Sequence, residues 1–226
     1  MRSVVLNNTP RCARCRLPPR WCVCAGLREV RCPLEIDVLT HHREWFRPSS
    51  TSHLIQRVMP ESRQHLWRRE RHIAAEEIRR PGREMWILHP HGGPVPAGVA
   101  AEQVQIVLLD GAWRETSMMA QGMGSWGRLV NLPMTGESRY WLRAQADAGR
   151  FSTVEALLWV MQALGLSPAH DQLRLQFELH VYAGLRARGF KELAAEFLQI
   201  SPVPAAFPDL LARLHERRPN DEALSG

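Results

Sequence analysis

The run Val104-Gln105-Ile106-Val107-Leu108-Leu109-Asp110 constrains the fold of this chain more than any other stretch. Its apolar residues are broken only by Gln105, the pattern of a strand buried on both faces. Such strands belong to parallel sheets covered by helices, so the run predicts an α/β domain with a mostly parallel sheet and flanking helices. Asp110 closes the run and Gly111 follows, ahead of a helix predicted over Trp113–Gln121. An acid at the tip of a central parallel strand faces the crevice in which such sheets bind ligands. There it can accept a proton or hold a polar substrate group, and it can equally cap the helix that follows.

The neighbouring segments fit the same plan. Strands are predicted over 34–40, 85–90 and 128–133, and a short helix over 50–59. The stretch 61–80 reads either as a strand followed by a helix or as one longer helix. Ser152 and Glu155 form a capping box for a helix over 153–164, and further helices follow near 170–188, 190–199 and 208–217. Three loops then fall at strand ends: HPHGGP, DGAW and LPMTGESRYW. A G-x-G-x-x-G match at Gly122, Gly124 and Gly127 follows a helix and precedes a strand. A dinucleotide fingerprint has the reverse order, so these glycines read as a helix stop and a turn.

Four cysteines mark a separate module. Cys12 and Cys15 have C-x-x-C spacing, Cys22 and Cys24 are C-x-C, and six residues separate the pairs. Four thiolates this close can converge on one tetrahedral ion, and an all-cysteine set is a usual structural zinc site with no open position for substrate. Pro18 and Pro19 suit the turn between the pairs. Two disulfides would also use the four thiols. The start MRSVVLNNTP has no long apolar core, however, and without an oxidising compartment zinc is the expected use. Cys32 is expected to be a free buried thiol or a strand-edge residue. The paired histidines His41/His42 and His89/His91 do not require a second metal and are expected to be hydrogen-bonded or exposed.

Charge points to a polyanionic partner. The net charge is +6, and Lys191 is the only lysine. A phosphate-binding P-loop therefore lacks its lysine. Arginines cluster around the cysteines and again between Arg57 and Arg83, with Arg68, Arg69 and Arg71 together. This is the footprint of a phosphate-backbone binder, although interleaved glutamates also suit a solvated helix face. Trp113 and Trp141 sit beside strand-end loops, where they can stack on a base. The longest apolar stretch, VEALLWVMQAL, is too short to span a bilayer, so the expectation is a cytoplasmic protein with no membrane partner. Oligomeric state is left open, monomer included.

Several segments, in order, resemble the DTW-domain family of aminocarboxypropyltransferases: RCARCRLPPRWCVC, LTHHRE, SSTSHL, ILHP, VLLDGAWRETSMM, NLP with SRYWLRAQ, and FSTVEAL. The resemblance covers roughly residues 11–165. The family signature stands here as Asp110-Gly111-Ala112-Trp113, with Ala112 in place of the usual threonine. Ser50 stands where the family commonly has asparagine. The resemblance implies a SPOUT-like α/β domain with a trefoil knot. It also implies transfer of the 3-amino-3-carboxypropyl group from S-adenosylmethionine to N3 of a uridine in the tRNA variable loop, with methylthioadenosine leaving.

By the same resemblance Asp110 is the general base or the group orienting N3–H. The loops Leu88-His89-Pro90 and Leu132-Pro133-Met134 wrap the adenosine, and Gly111 and Trp113 lie at the donor site. Thr51 and Ser52 bond the amino-acid moiety, while Arg139 and Tyr140 grip its carboxylate or an RNA phosphate. Thr153 and Glu155 match a family segment but are explained by the capping box alone. The implied organisation is a zinc-binding module over residues 1–33, a catalytic domain over 34–200, and a C-terminal helix and tail over 201–226. The alternatives are a zinc-knuckle RNA-binding protein without catalysis and an RNA methyltransferase of the same fold.

Overall fold

The computed structural model describes residues 10–70, 73–143 and 151–216. Their contacts group into two compact units, one of residues Arg28–Phe177 and one joining the described residues up to Leu27 with those from Glu178 onward.

The first unit is built on five strands: β1 (Glu35–His41), β2 (Arg63–Trp67), β3 (Glu84–Gly93), β4 (Val104–Asp110) and β5 (Arg128–Val130). Their order is β2-β1-β4-β3-β5, and every pairing is parallel. Its helices are α1 (His42–Trp45), α2 (Ser52–Val58), α3 (Ala75–Ile78), α4 (Trp113–Gln121) and α5 (Thr153–Ala163), followed by the start of α6 (Ser167–Ala187). The ambiguous 61–80 stretch is a strand followed by a single helical turn. The strand forms because β2 finds an open edge of β1, in register from Asp37↔Arg63 to His41↔Trp67.

β4 is central and buried as its sequence predicts, and its one polar interruption is fully used. The Gln105 amide donates to Asp37 Oδ2 and to the Ile78 carbonyl, each at 2.8 Å, and accepts from the Arg80 amide at 2.9 Å. A buried amide with those partners costs little to bury. Asp37, fully buried on β1, also meets His65 at 2.7 Å and Arg63 at 3.1 Å. Leu39, Ile87 and Val107 on the sheet pack with Met119 and Met123 of α4 and its following turn. α5 and α4 both pack on β4, so the strand is covered by helices.

Two strand ends differ from the sequence expectation. β3 runs to Gly93 rather than stopping at Pro90, because it bulges: Leu88 and Gly93 both pair with Val130. Gly92 makes this possible, since a Cβ there would lie 2.5 Å from the Val130 backbone. β5 stops at Val130, and the Asn131 amide then donates to the Gly93 carbonyl at 2.7 Å, turning LP out of the sheet.

The second unit holds Cys12, Cys15, Cys22 and Cys24, the later part of α6, and α7 (Lys191–Gln199), α8 (Val203–Ala206) and α9 (Pro208–His215). Gly26, in the 3-10 turn that begins at Cys24, lies against Leu179, Phe207 and Leu210. The guanidiniums of Arg20 and Arg186 lie over the Trp21 ring, at 4.7 and 4.6 Å. The Tyr182 hydroxyl bonds to His215 Nε2. Among the described residues no helix is long and apolar enough to cross a membrane.

Candidate active site

Parallel strands place the tips of β1, β4 and β3 along one edge of the sheet, and a cleft opens there. Residues of the three strand-end loops line it: Leu88, His89 and Pro90 from β3, Asp110 at the end of β4 with Gly111 and Trp113 after it, and Leu132 and Met134 after β5. Thr51 and Tyr140 also line it. Gly111 is closely packed: a Cβ would sit 3.2 Å from Glu115 Cβ and 3.3 Å from His41 Cβ.

Asp110 lies in the cleft wall and is 5% exposed. One carboxylate oxygen accepts from Ser50 Oγ at 2.9 Å and the other from Thr153 Oγ1 at 2.6 Å. The network continues behind Ser50. Ser52 Oγ is 2.7 Å from Ser50 Oγ, and Gln64 Nε2 donates to Ser52 Oγ at 2.8 Å and to Thr40 Oγ1 at 3.1 Å. Asp110 is therefore held by groups from the segment before α2 and from the start of α5, and it does not cap α4. That cap is supplied by Glu115, whose carboxylate accepts from the Ala112 amide at 2.8 Å. Here Ala112 sits at the N-cap with its backbone alone engaged.

Glu155 does more than cap. Besides the Ser152 amide at 2.7 Å, it accepts from Ser138 Oγ at 2.9 and 3.0 Å and from the Arg139 amide at 2.6 Å. It thus ties the loop carrying Tyr140 to the start of α5. The Tyr140 hydroxyl in turn donates to the Ser49 carbonyl.

Other expected residues lie elsewhere. Ser52 is fully buried behind Ser50 rather than in the cleft wall. Pro133 is exposed, and the cleft is lined by its neighbours instead. Arg139 does not line the cleft, and its guanidinium lies 5.6 Å over the Trp141 ring. Arg68 and Arg69 are exposed just beyond β2, and Arg71 lies outside the described residues. Residues the sequence did not flag also line the cleft, among them Thr116, Asn131, Arg143 and Phe151. Thr153 had a complete local explanation as part of a capping box, which hid its bond to Asp110. Ser50 carried a signal, its departure from the family's asparagine.

The electrostatics of this end of the sheet are set by burial. Burial pushes the Glu44 carboxyl up, while Arg143 and Arg47 pull it back. Burial lowers His41, against the pull of Glu115, and lowers His89, with His91 adding to the effect. Both imidazoles are therefore neutral near pH 7.

The four cysteines converge. Their Sγ atoms all lie within 4.8 Å of one another, with Cys12–Cys24 and Cys15–Cys22 each at 3.6 Å and none of the four in a disulfide. Tetrahedral thiolates around zinc stand about 3.8 Å apart, given Zn–S bonds of about 2.3 Å. Arg16 adopts a left-handed backbone (φ 59°) within the first knuckle, where its amide donates to the Cys12 carbonyl. Backbone N–H groups, that of Cys15 first, lower the Cys12 thiol to about 6, whereas burial raises Cys15 and Cys24. The cluster could hold a metal ion such as zinc.

The model of the DTW domain family matches residues 9–183 of this chain. No solved structure matches it.

Proposed function

The chain belongs to the DTW-domain family, and on that premise we propose that it is a tRNA-modifying enzyme that transfers the 3-amino-3-carboxypropyl group of S-adenosylmethionine to N3 of a uridine in the tRNA variable loop. The observation carrying this reading is Asp110, an acid on the wall of a cleft at the strand tips, with each oxygen oriented by a hydroxyl. Leu88, Leu108, Val130, Leu132 and Met134 give the cleft apolar walls for an adenosine, and Asp110 gives it the negative charge a sulfonium favours. When bound, the donor supplies a carbon made electrophilic by its sulfonium.

The chain's own residues supply position and a proton acceptor. Asp110 takes or orients the uridine N3–H, which must leave as N3 attacks. Trp113, 55% exposed at the cleft, offers a ring to a base. Presenting one carbon of the donor rather than another is a matter of orientation, so the held loops around Tyr140 and Thr153 bear on which group moves. A SPOUT-like knotted topology belongs to the same proposal. It rests on the family resemblance, and the parallel sheet with β4 between β1 and β3 supports the α/β class it implies. Zinc in the four-cysteine cluster would be structural, since four protein ligands close its coordination. Reduced thiols of this kind suit the cytoplasm.

Nucleoside mass spectrometry of tRNA incubated with the protein and S-adenosylmethionine tests the reading. An aminocarboxypropyl gain on uridine is expected, absent with Asp110→Ala. A methyl gain would make the protein a methyltransferase, and no gain on any tRNA would leave an RNA-binding protein.

A further inference from the structure

The cleft carries one formal charge of each sign. Among its described lining residues Asp110 is the only acid and Arg143 the only arginine or lysine. A donor with a sulfonium, an ammonium and a carboxylate presents one anionic group to such walls. We propose that Arg143 binds the α-carboxylate of the donor's amino-acid arm, and that buried Glu44 holds the guanidinium in place for it. This rests on the donor named above.

The setting of Arg143 is built rather than incidental. Glu44 is 1% exposed, a costly position for a carboxylate. Arg143 Nη2 donates to its Oε2 at 2.9 Å, and Arg47 Nη1 meets its Oε1 at 2.7 Å. The Arg143 guanidinium also lies 5.6 Å over the Tyr140 ring. A carboxylate on one side and a ring on another restrain a side chain that would otherwise sample many rotamers. Arginine has five N–H donors in a fixed fork, and the bond to Glu44 uses one. Almost half of the Arg143 side chain, 47%, stays open. Such a pre-set fork matches a carboxylate.

The assignment also moves the carboxylate grip from Arg139, whose guanidinium stacks on Trp141 and which does not line the cleft. Fixing the arm by its carboxylate, with Asp110 in the same cleft, restricts which donor carbon meets the acceptor. Arg47 shares Glu44 but is not among the lining residues, so it favours the charged form of Glu44, against burial, from outside the cleft.

Titration calorimetry with two probes separates the possibilities. S-adenosylhomocysteine carries the amino-acid arm, and methylthioadenosine lacks it. Arg143→Gln is expected to weaken S-adenosylhomocysteine about 10- to 100-fold, the worth of a charged hydrogen bond, while methylthioadenosine binds as to wild type. Arg143→Lys should recover part of the loss, and Glu44→Gln should lower S-adenosylhomocysteine affinity by a smaller factor. Thermal melts of each variant check that the fold persists. Equal weakening of both nucleosides, or none, overturns the proposal. Loss of tRNA affinity alone would assign Arg143 to an RNA phosphate and overturn it too. If the wild type binds neither nucleoside, the donor assignment itself falls and takes this one with it. If the wild type binds both equally, only the carboxylate assignment falls.

Discussion

Thr153 Oγ1 donates to Asp110 Oδ1 at 2.6 Å, joining the first residue of α5 to the last residue of β4. Ser50 engages the other oxygen at 2.9 Å. An ionised carboxylate only accepts, so the Ser50 hydrogen points to Asp110, Ser52 donates to Ser50, and Gln64 donates to Ser52. The acid is thus aimed by a one-way chain that begins on the edge strand β2.

That chain makes the Asp110 partners measurable. Asp110→Asn is expected to lower the rate of tRNA modification by about 100-fold or more, the scale of a lost proton acceptor. Ser50→Ala and Thr153→Ala should each cost about tenfold, one charged hydrogen bond, and Thr153→Ser should restore most of its share. Initial rates from nucleoside mass spectrometry decide it. A near-normal rate for Asp110→Asn would remove the acid from the chemistry.

The cysteine cluster is expected to hold one zinc per chain by elemental analysis. Cys12→Ser or Cys22→Ser should lose the metal and lower the melting temperature, because the knuckle packs with the C-terminal helices through residues such as Gly26. A metal-free protein as stable as the loaded one would refute the role.

Gly92 and Gly93 form an internal control for the β3 bulge. Gly92→Ala would drive a methyl to 2.5 Å from the Val130 backbone, while a Cβ at Gly93 meets nothing within 4 Å. We expect Gly92→Ala to destabilise the protein by about 2 kcal/mol or more, and Gly93→Ala to be near neutral. Urea denaturation measures both. Equal effects would show that the bulge is not held as described.

Asp37 predicts an acid dependence of stability. Burial pushes its carboxyl up, but the bonds from His65 and Gln105 and the charge of Arg63 outweigh it and leave it below its ordinary 3.8. A lowered carboxyl contributes stability above its unfolded value and loses it as pH falls through the folded one. The gap between wild type and Asp37→Asn should therefore be full, about 3 kcal/mol, near pH 6 and close as pH falls below 3.8 and through the lowered folded value. A gap that does not change with pH would contradict the ion cluster.

Exposed Arg68 and Arg69 follow the carboxyl end of β2, on the same edge of the sheet as the cleft. Reversing both charges should weaken tRNA binding and make its salt dependence shallower by up to about two phosphate contacts. Unchanged affinity and slope would mean that RNA approaches from another side.

Much of the sheet was legible because burial on two faces writes itself into local sequence. β4 and α4 begin and end where the apolar run and the glycines predict, and the four cysteines carry metal-ligand spacing in thirteen residues. The edge strand β2 was ambiguous, since a half-buried strand carrying Arg63, Gln64 and His65 has no apolar period of its own and depends on pairing with β1. The start of α5 misled in another way. A capping box satisfies Ser152 and Glu155 locally, so nothing in the sequence requires Glu155 to hold Arg139 or Thr153 to reach Asp110.

By itself, then, the order of residues determined four of the five strands, which loops gather at one edge, and that an acid stands at the tip of the central strand. Tertiary structure alone decided which partners that acid has and where Arg143 and Glu44 meet, 99 residues apart. The physical reason is range. Periodicity, capping and turn chemistry act within a few residues, whereas a hydrogen bond between distant side chains exists only after packing has brought them within about 3 Å.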